Sequence, residues 1–256
     1  MRSDPQHPAR DPAERSEPQT VRALLALRNL LLEGALAPGE RLAELHLVER
    51  LGMSRTPIRL ALVRLAEEGL IDAIPSGGFA VRAFTDRDVT DAIEIRGALE
   101  GLAARLAAER GVSPADLRRL RDVLAELDTT IAVEPTTEAG MAAYIDANAR
   151  FHDLLVRLAD SPALSRQVER ALALPFASPS AFIKAQVSSP ESRFILTVAQ
   201  DQHRCVVDAI ERREGARAEA IMREHARIAN RNLAAALRSR AILDLVPGGP
   251  LIRGRG

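Results

Sequence analysis

The chain has 256 residues, 46% of them apolar, and 35 basic residues balance 35 acidic ones. A net charge of zero argues against binding nucleic acid through bulk positive charge alone. No run approaches the roughly 18 uninterrupted apolar residues that a membrane-spanning helix needs, and the single cysteine, Cys205, excludes an intramolecular disulfide framework. We therefore expect a soluble, cytoplasmic protein of two domains, without membrane association.

The N-terminal region predicts three helices after a tail. Residues 1–19 are rich in Pro and charge, lack the apolar core of a signal peptide and are predicted to be disordered. Apolar residues recur at helical spacing over 20–32, and "LAELHLVERLG" predicts a short second helix that ends at Gly52. A third helix follows over about 56–69. Two short helices joined by a few residues that include a glycine are typical of a helix-turn-helix.

The start of the third helix has two candidate caps. Thr56 stands directly before Pro57, which suits an N-cap followed by proline at the first helical position, and Ser54 is the alternative. After this helix, "LIDAIPSGGFAVRAF" predicts two short strands around the Gly77–Gly78 pair. A helix-turn-helix with a small hairpin is a winged helix, which we assign to residues 20–84.

The third helix begins with a local cluster of arginines. No acidic residue occurs between positions 50 and 64, and Arg55 and Arg59 lie one turn apart on one helical face. Such arginines can neutralise phosphate or bind the O6 and N7 atoms of guanine. Ser54 and Thr56, beside the helix N-terminus, suit phosphate contacts, and Gly77 and Gly78 would let the wing backbone approach a groove. The alternative is that these arginines are solvated surface charges.

The rest of the chain predicts an all-helical domain. Periodicity and breakers indicate about six helices between residues 86 and 240 and no strands, so the fold class is mainly α, a winged helix followed by a helical bundle over 85–240. Residues 241–256 are Gly- and Arg-rich and are assigned to a C-terminal tail.

Three of the five histidines fall on apolar stripes of the helical domain. His152, His203 and His225 should point inward, and Asn148, four residues before His152, faces the same way. Neutral imidazoles that converge in a bundle can bind a divalent metal. Each of these histidines could instead be a hydrogen-bonded core residue.

The N-terminal segment resembles the DNA-binding domain of the GntR family of bacterial transcriptional regulators. The resemblance lies in "GALAPGERLAE", "LGMSRTPIRLALVRLAEEGLI" and "PSGGFAV". It implies that Arg55 and Arg59 contact bases or phosphates and that the Gly77–Gly78 turn is the wing that reaches the minor groove. Leu60 stands where the family usually has Glu, and Leu45 stands where some members have a further DNA-contacting Arg.

Residues 86–237 resemble the FCD effector-binding domain of the FadR subfamily. The motifs are "IRGALEGLAARLAAER", "NARFHDLLVRLADSPAL" and "QHRCVVDAIERREGARAEAIMREH". The resemblance implies a divalent metal, zinc as first choice with nickel, manganese or iron as alternatives, held by Asn148, His152, His203 and His225. It also makes Arg96 a candidate ligand for a small carboxylate effector, although Arg96 could instead form an ion pair with Glu100.

Together these features predict a ligand-responsive regulator. We expect a homodimer that binds a palindromic DNA operator, with a small carboxylate that changes operator affinity, and a repressor as the working hypothesis. The alternative is a metal-dependent enzyme that uses the three histidines for hydrolysis or oxygenation. Against the enzyme, the sequence shows no inward Glu or Asp close to the histidines that could act as a general base.

Overall fold

A computed structural model of the chain describes residues 18–132, 138–187 and 192–253. The predicted tail over residues 1–19 falls almost wholly outside these ranges. The winged helix consists of α1 (Gln19–Leu32), β1 (Arg41–Leu42), α2 (Glu44–Leu51), α3 (Arg55–Glu67), β2 (Ile71–Ala73) and β3 (Phe79–Val81). Its antiparallel sheet has the strand order β1-β3-β2. The sequence missed β1, because two residues are too few to show the alternation that marks a strand.

The turn between α2 and α3 depends on one glycine. Gly52 has a φ of 61°, in the left-handed region that glycine adopts without strain. Of the two candidate caps, Ser54 holds the N-cap position, although its side chain makes no capping hydrogen bond. Thr56 is therefore the second residue of α3 rather than its cap, and Pro57 is the third.

Over residues 86–132, 138–187 and 192–236, the helical domain has seven helices, where the sequence predicted about six. Its elements are α4 (Asp86–Arg110), α5 (Pro114–Ala132), α6 (Glu138–Leu158), α7 (Pro162–Leu172), α8 (Ile183–Val187), α9 (Ser192–Glu211) and α10 (Gly215–Ala236). The additional helix is α8, which at five residues is too short for a periodic pattern. A 3-10 turn at Pro175–Ala177 lies between α7 and α8.

Helices α4 and α10 approach each other closely at two glycines. A Cβ atom added to Gly97 would lie 2.6 Å from the Cβ of Ala226, and one added to Gly101 would lie 2.7 Å from Cγ of Arg223. Only glycine fits at these contacts without displacing its neighbours. The close approach brings the face of α4 that carries Arg96 and Glu100 against the helix that carries His225.

Residues 240–253, which we name the C-terminal strap, return to the winged helix. The strap begins with α11 (Arg240–Leu243) and ends beside Phe84, whose N–H donates to the Leu251 carbonyl at 2.9 Å. Leu251 and Ile252 are buried in the same apolar core as residues of α1 and α3. The described part of the predicted C-terminal tail is thus packed against both domains.

Candidate functional site

The arginine face of α3 is open to solvent. Ser54, Arg55, Thr56 and Arg59 are all exposed, as the sequence predicts. Arg55 donates from Nε to Glu44 Oε2 at 3.0 Å and still exposes 68% of its side chain. An exposed ion pair of this kind contributes about 0–1 kcal/mol, so Arg55 can exchange Glu44 for a phosphate at small cost.

The wing tip adds a basic residue that the sequence analysis missed. Gly77 and Gly78 have φ values of 97° and 87°, are exposed and have open space around them. Arg41, from β1, donates from Nη2 to the Gly77 carbonyl at 3.0 Å. Its charge therefore lies at the wing, although Arg41 is well separated in sequence from the arginine cluster. The sequence would have placed Arg41 at the wing only if strand β1 had been predicted.

The three histidines of the helical domain converge. His152, His203 and His225 retain 3%, 0% and 9% of their surface exposed, and one ring nitrogen of each lies within 4.8 Å of the others. The Nε2 atoms of His203 and His225 are 3.1 Å apart. The inward orientation predicted from helical spacing is therefore correct, and α6, α9 and α10 each supply one imidazole.

Each of these histidines has an oxygen partner at Nδ1. His152 Nδ1 lies 3.0 Å from Glu100 Oε1, His203 Nδ1 lies 3.1 Å from Gln200 Oε1, and His225 Nδ1 lies 3.3 Å from Gln202 Oε1. An oxygen at this position favours the tautomer with hydrogen on Nδ1 and leaves the lone pair on Nε2. Metal-ligating histidines are commonly held in this way by a second layer of acceptors.

The orientation of Gln200 is determined by its other contacts. Its Nε2 donates to the Leu124 carbonyl at 2.9 Å and to Asp128 Oδ1 at 2.7 Å, and both of these groups only accept. The amide oxygen must therefore face His203, which places hydrogen on His203 Nδ1. The tautomer of His203 thus follows from contacts made by α5.

Among the described residues, the only hydrogen-bond partner of an Nε2 atom in this cluster is another Nε2 atom. Two Nε2 lone pairs that face each other at 3.1 Å repel unless a proton or a cation lies between them, and the buried Nε2 of His152 has no hydrogen-bond partner. Burial, together with neighbouring histidines, lowers the pKa values of His203 and His225 well below the usual range. These rings are therefore neutral at pH 7, which is the form that binds metal.

Asn148 is a candidate fourth donor, through the oxygen of its side-chain amide. Its side chain is 3% exposed, and its Nδ2 donates to Ser180 Oγ at 3.1 Å. Ser180 Oγ in turn donates to the Ile145 carbonyl at 3.3 Å, so it accepts from Asn148. This contact uses the nitrogen of the amide and leaves Asn148 Oδ1 available. The donor set of three imidazoles and one amide oxygen fits a divalent cation.

The structure corrects the prediction that no inward carboxylate lies near the histidines. Glu100 is 1% exposed and bridges two groups, since Oε1 contacts His152 and Oε2 accepts from Arg96 Nη1 at 2.7 Å. Burial alone would raise the pKa of Glu100, but Arg96 and His152 together hold it below its usual value. The sequence pairs Glu100 with Arg96 by helical spacing, but contains no sign of the contact with His152 on another helix.

Arg96 forms the ion pair with Glu100 and also lines a cavity beside the histidines. It is 2% exposed, and its Nε is buried without a hydrogen-bond partner. The cavity has a volume of about 30 Å³. Its lining includes the polar residues Arg96, Asn148, His225, Tyr144 and Asn232 and the apolar residues Pro179, Phe182 and Ile183. This volume holds about two water molecules.

Two family models match the two parts of the chain. Residues 19–81 match the model described as bacterial regulatory proteins, gntR family, and residues 91–228 match the FCD domain. The chain belongs to the GntR family. It therefore combines a DNA-binding winged helix with an all-helical FCD domain, and it is a transcriptional regulator rather than an enzyme. The alternative of a metal-dependent enzyme is set aside on this ground, even though an inward carboxylate is present.

Relatives support this assignment. The transcriptional regulator McbR of Escherichia coli is 33% identical over 56% of this chain and 62% of its own length. A Paenarthrobacter nicotinovorans protein, named as a probable transcriptional repressor of a D-xylose utilization operon, is 30% identical over 76% of this chain and 80% of its own. The E. coli repressor RspR is 27% identical over 82% of this chain and 86% of its own.

Solved structures agree on the fold. The E. coli McbR/YncC structure has a TM-score of 0.56 at 24% identity, covering 86% of this chain and 97% of that one. The Lar regulator of Listeria monocytogenes has a TM-score of 0.59 at 18% identity, covering 86% and 99%. In the part of the chain that the structure describes, no helix is long and apolar enough to cross a membrane.

Proposed function

We propose that this GntR regulator is a cytoplasmic repressor that binds a palindromic operator as a homodimer and responds to a small carboxylate. The main support for the proposal is that one chain contains both an exposed arginine face and a buried polar cavity. Several relatives are named as repressors. Placement in the FadR subfamily remains a prediction.

On DNA, we assign α3 to the major groove and the wing to the minor groove. Arg59 has no protein partner among the described hydrogen bonds and ion pairs and is exposed, so its guanidinium is free to bind a guanine edge or a phosphate. Ser54, Arg55 and Thr56 would contact phosphates near the helix N-terminus. Gly77 and Gly78 would let the wing backbone approach its groove closely.

In the helical domain, Asn148, His152, His203 and His225 would hold a divalent metal, with zinc as first choice. The unpartnered His152 Nε2 and the facing Nε2 atoms of His203 and His225 support this assignment. A bound metal would supply positive charge at the edge of the cavity. Glu100, Gln200 and Gln202 would orient the imidazoles through their Nδ1 atoms.

Arg96 would bind the effector carboxylate. Its Nη1 is engaged by Glu100, but its Nε lacks a partner, and Arg96 shares the cavity wall with His225 and Asn148. A cavity of about 30 Å³ cannot hold a carboxylic acid of several carbons. Binding within this cavity would require displacement of part of the segment that contributes Pro179, Phe182 and Ile183. A second cavity of about 540 Å³, lined by Glu100 and His152, is large enough for such an acid without this displacement. A ligand that binds the displaced arrangement more tightly would shift the population toward it and thereby alter operator affinity.

The DNA assignment is tested with Arg59→Ala. An operator is first selected from random duplexes with the full chain, and the dissociation constant is then measured for the wild type and the variant. Loss of a base contact should weaken binding by about 1–3 kcal/mol. Arg118→Ala removes an exposed arginine of α5 and serves as the charge-matched control. If Arg59→Ala bound the selected operator with wild-type affinity, the assignment of this face of α3 to DNA would be refuted.

The metal and effector assignments are tested together on tag-free protein. Elemental analysis after purification without chelator, followed by titration of the stripped protein with Zn²⁺, should show one bound metal per chain. Metal-loaded protein is then screened for thermal stabilisation against small mono- and dicarboxylates, because a ligand at 100 times its dissociation constant adds about 2.7 kcal/mol to stability. If the protein takes up no metal, the histidines are polar core residues and do not form a metal site.

A further inference from the structure

The outward face of α3 carries apolar residues beside its arginines. Pro57, Ile58, Ala61, Leu62 and Leu65 are buried against the domain. The opposite face presents Thr56, Arg59, Leu60 and Val63, three to four residues apart. Leu60 exposes 52% and Val63 exposes 42% of their surface. Two large aliphatic side chains therefore lie on the same surface as the arginines that we propose bind DNA.

No described part of this chain covers Leu60 and Val63. Single exposed aliphatic residues are common on proteins, but these two are adjacent on one helical face and share it with Arg59. The occupant of this face is indicated by charge. Residues 50–64 contain four arginines and no acid, but Arg55 pairs with Glu44, and Arg64 pairs with Glu67 and Glu68. Arg59 has no acidic partner among the described ion pairs, and the exposed helix N-terminus adds a positive dipole end. A polyanion fits this surface, and Leu60 lies on it directly after Arg59.

Within the DNA major groove, the 5-methyl group of thymine is the apolar feature that an aliphatic side chain can contact. Cytosine offers an amino hydrogen-bond donor on the same side of the base pair and has no methyl group. A leucine placed over cytosine would remove water from that donor without accepting its hydrogen, which is unfavourable. A leucine at this position therefore discriminates thymine from cytosine.

We propose that Leu60, supported by Val63, reads thymine methyl groups in the operator and is a specificity-determining residue of this regulator. Since Leu60 follows Arg59 directly and both side chains project outward, the thymine should lie within about one or two base pairs of the contact made by Arg59. The proposal rests on the placement of α3 in the major groove under the proposed function. Beyond the proposed function, it specifies which base the apolar residues of α3 recognise.

The test removes the methyl group without altering base pairing. Each thymine of the selected operator half-site is replaced in turn by deoxyuridine, and dissociation constants are measured for full-length wild type and Leu60→Ala. At one or two positions, wild-type affinity should fall about fourfold, the factor that corresponds to the ~0.8 kcal/mol of one buried methyl-sized group. Leu60→Ala should bind the thymine and deoxyuridine operators equally at those positions.

The matched control is Leu245→Ala, which removes an exposed leucine from the strap and should retain the wild-type sensitivity to deoxyuridine. Because Leu60 is half-exposed, the melting temperature of Leu60→Ala should be close to that of the wild type. Equal deoxyuridine sensitivity in wild type and Leu60→Ala, or none in the wild type, overturns the inference. If Arg59→Ala still weakens binding in that case, only the role of Leu60 is lost. If Arg59→Ala binds normally, the recognition face itself fails.

Discussion

Arg55 and Arg96 show how differently the two functional regions hold the same residue type. Arg55 exposes 68% of its side chain and pairs with Glu44 at the protein surface, whereas Arg96 exposes 2% and pairs with the equally buried Glu100. Breaking an exposed pair changes stability by about 0–1 kcal/mol, but removing one partner of a buried pair costs about 3–5 kcal/mol. Substitutions on the proposed DNA face should therefore change DNA binding without changing stability, while those in the bundle should also change stability.

The largest effect that tests this contrast is expected from His203→Ala. If His203 binds the metal directly, as we propose, its loss should lower the affinity for Zn²⁺ by more than the 10–100-fold that loss of a second-layer partner typically causes. Affinity is measured by competition with a chromophoric chelator. His46→Ala removes the exposed histidine of α2 and should leave affinity unchanged. Wild-type Zn²⁺ affinity in His203→Ala would contradict the site.

A smaller effect is expected from Glu100→Gln. Oε2 of the carboxylate accepts from Arg96 and Oε1 contacts His152, but glutamine places an NH2 group, which cannot accept, in one of these two positions. We expect a 10–100-fold loss of Zn²⁺ affinity if His152 loses its acceptor. Glu109→Gln, on the exposed part of α4, is the control. Unfolding in urea is measured in parallel, and a variant that loses stability but keeps full metal affinity would limit Glu100 to a structural role.

The pH dependence of the metal-free protein should reflect the buried histidines. Burial lowers the pKa values of His203 and His225 in the folded state, so below about pH 6.5 the unfolded chain binds protons that the folded chain does not. Stability is thus fully present above this pH and is lost as pH falls, by about 1 kcal/mol per pH unit for each histidine. Urea unfolding at pH 7.5, 6.5 and 5.5 in the presence of chelator measures the slope. His203→Ala should reduce it, and a flat profile in the wild type would refute the prediction.

The smallest effect is expected from Arg55→Ala on the DNA face. If Arg55 neutralises one phosphate, its removal should weaken operator binding similarly across sequences and reduce the salt dependence of log K by about one unit. Binding measured from 50 to 200 mM salt gives that slope. Because the Arg55–Glu44 pair is exposed, the melting temperature should remain close to that of the wild type. An unchanged slope would assign Arg55 to the protein surface rather than to DNA.

The sequence predicted the elements that have a strong apolar periodicity or that end at a glycine or proline. The helix-turn-helix follows from Gly52 and the apolar spacing of α3, and the inward orientation of the three histidines follows from their positions on apolar stripes. Contacts between distant segments were out of reach. Glu100 meets His152 across two helices, and Gln200 and Gln202 show no pattern that marks them as histidine partners.

Short elements were missed for a related reason. The two-residue strand β1 and the five-residue helix α8 are held by tertiary contacts rather than by a repeated pattern. The same holds for the strap, whose Gly- and Arg-rich composition conceals that Leu251 and Ile252 are buried. In each case the decisive interaction joins residues far apart in the chain.

The strap also sets an order of events during synthesis. Leu251 and Ile252 complete an apolar core that α1 and α3 begin, yet they leave the ribosome long after the winged helix has been made. Domains fold as units in the order of translation, so the nascent DNA-binding domain must expose the apolar surface around Phe84 until the strap emerges.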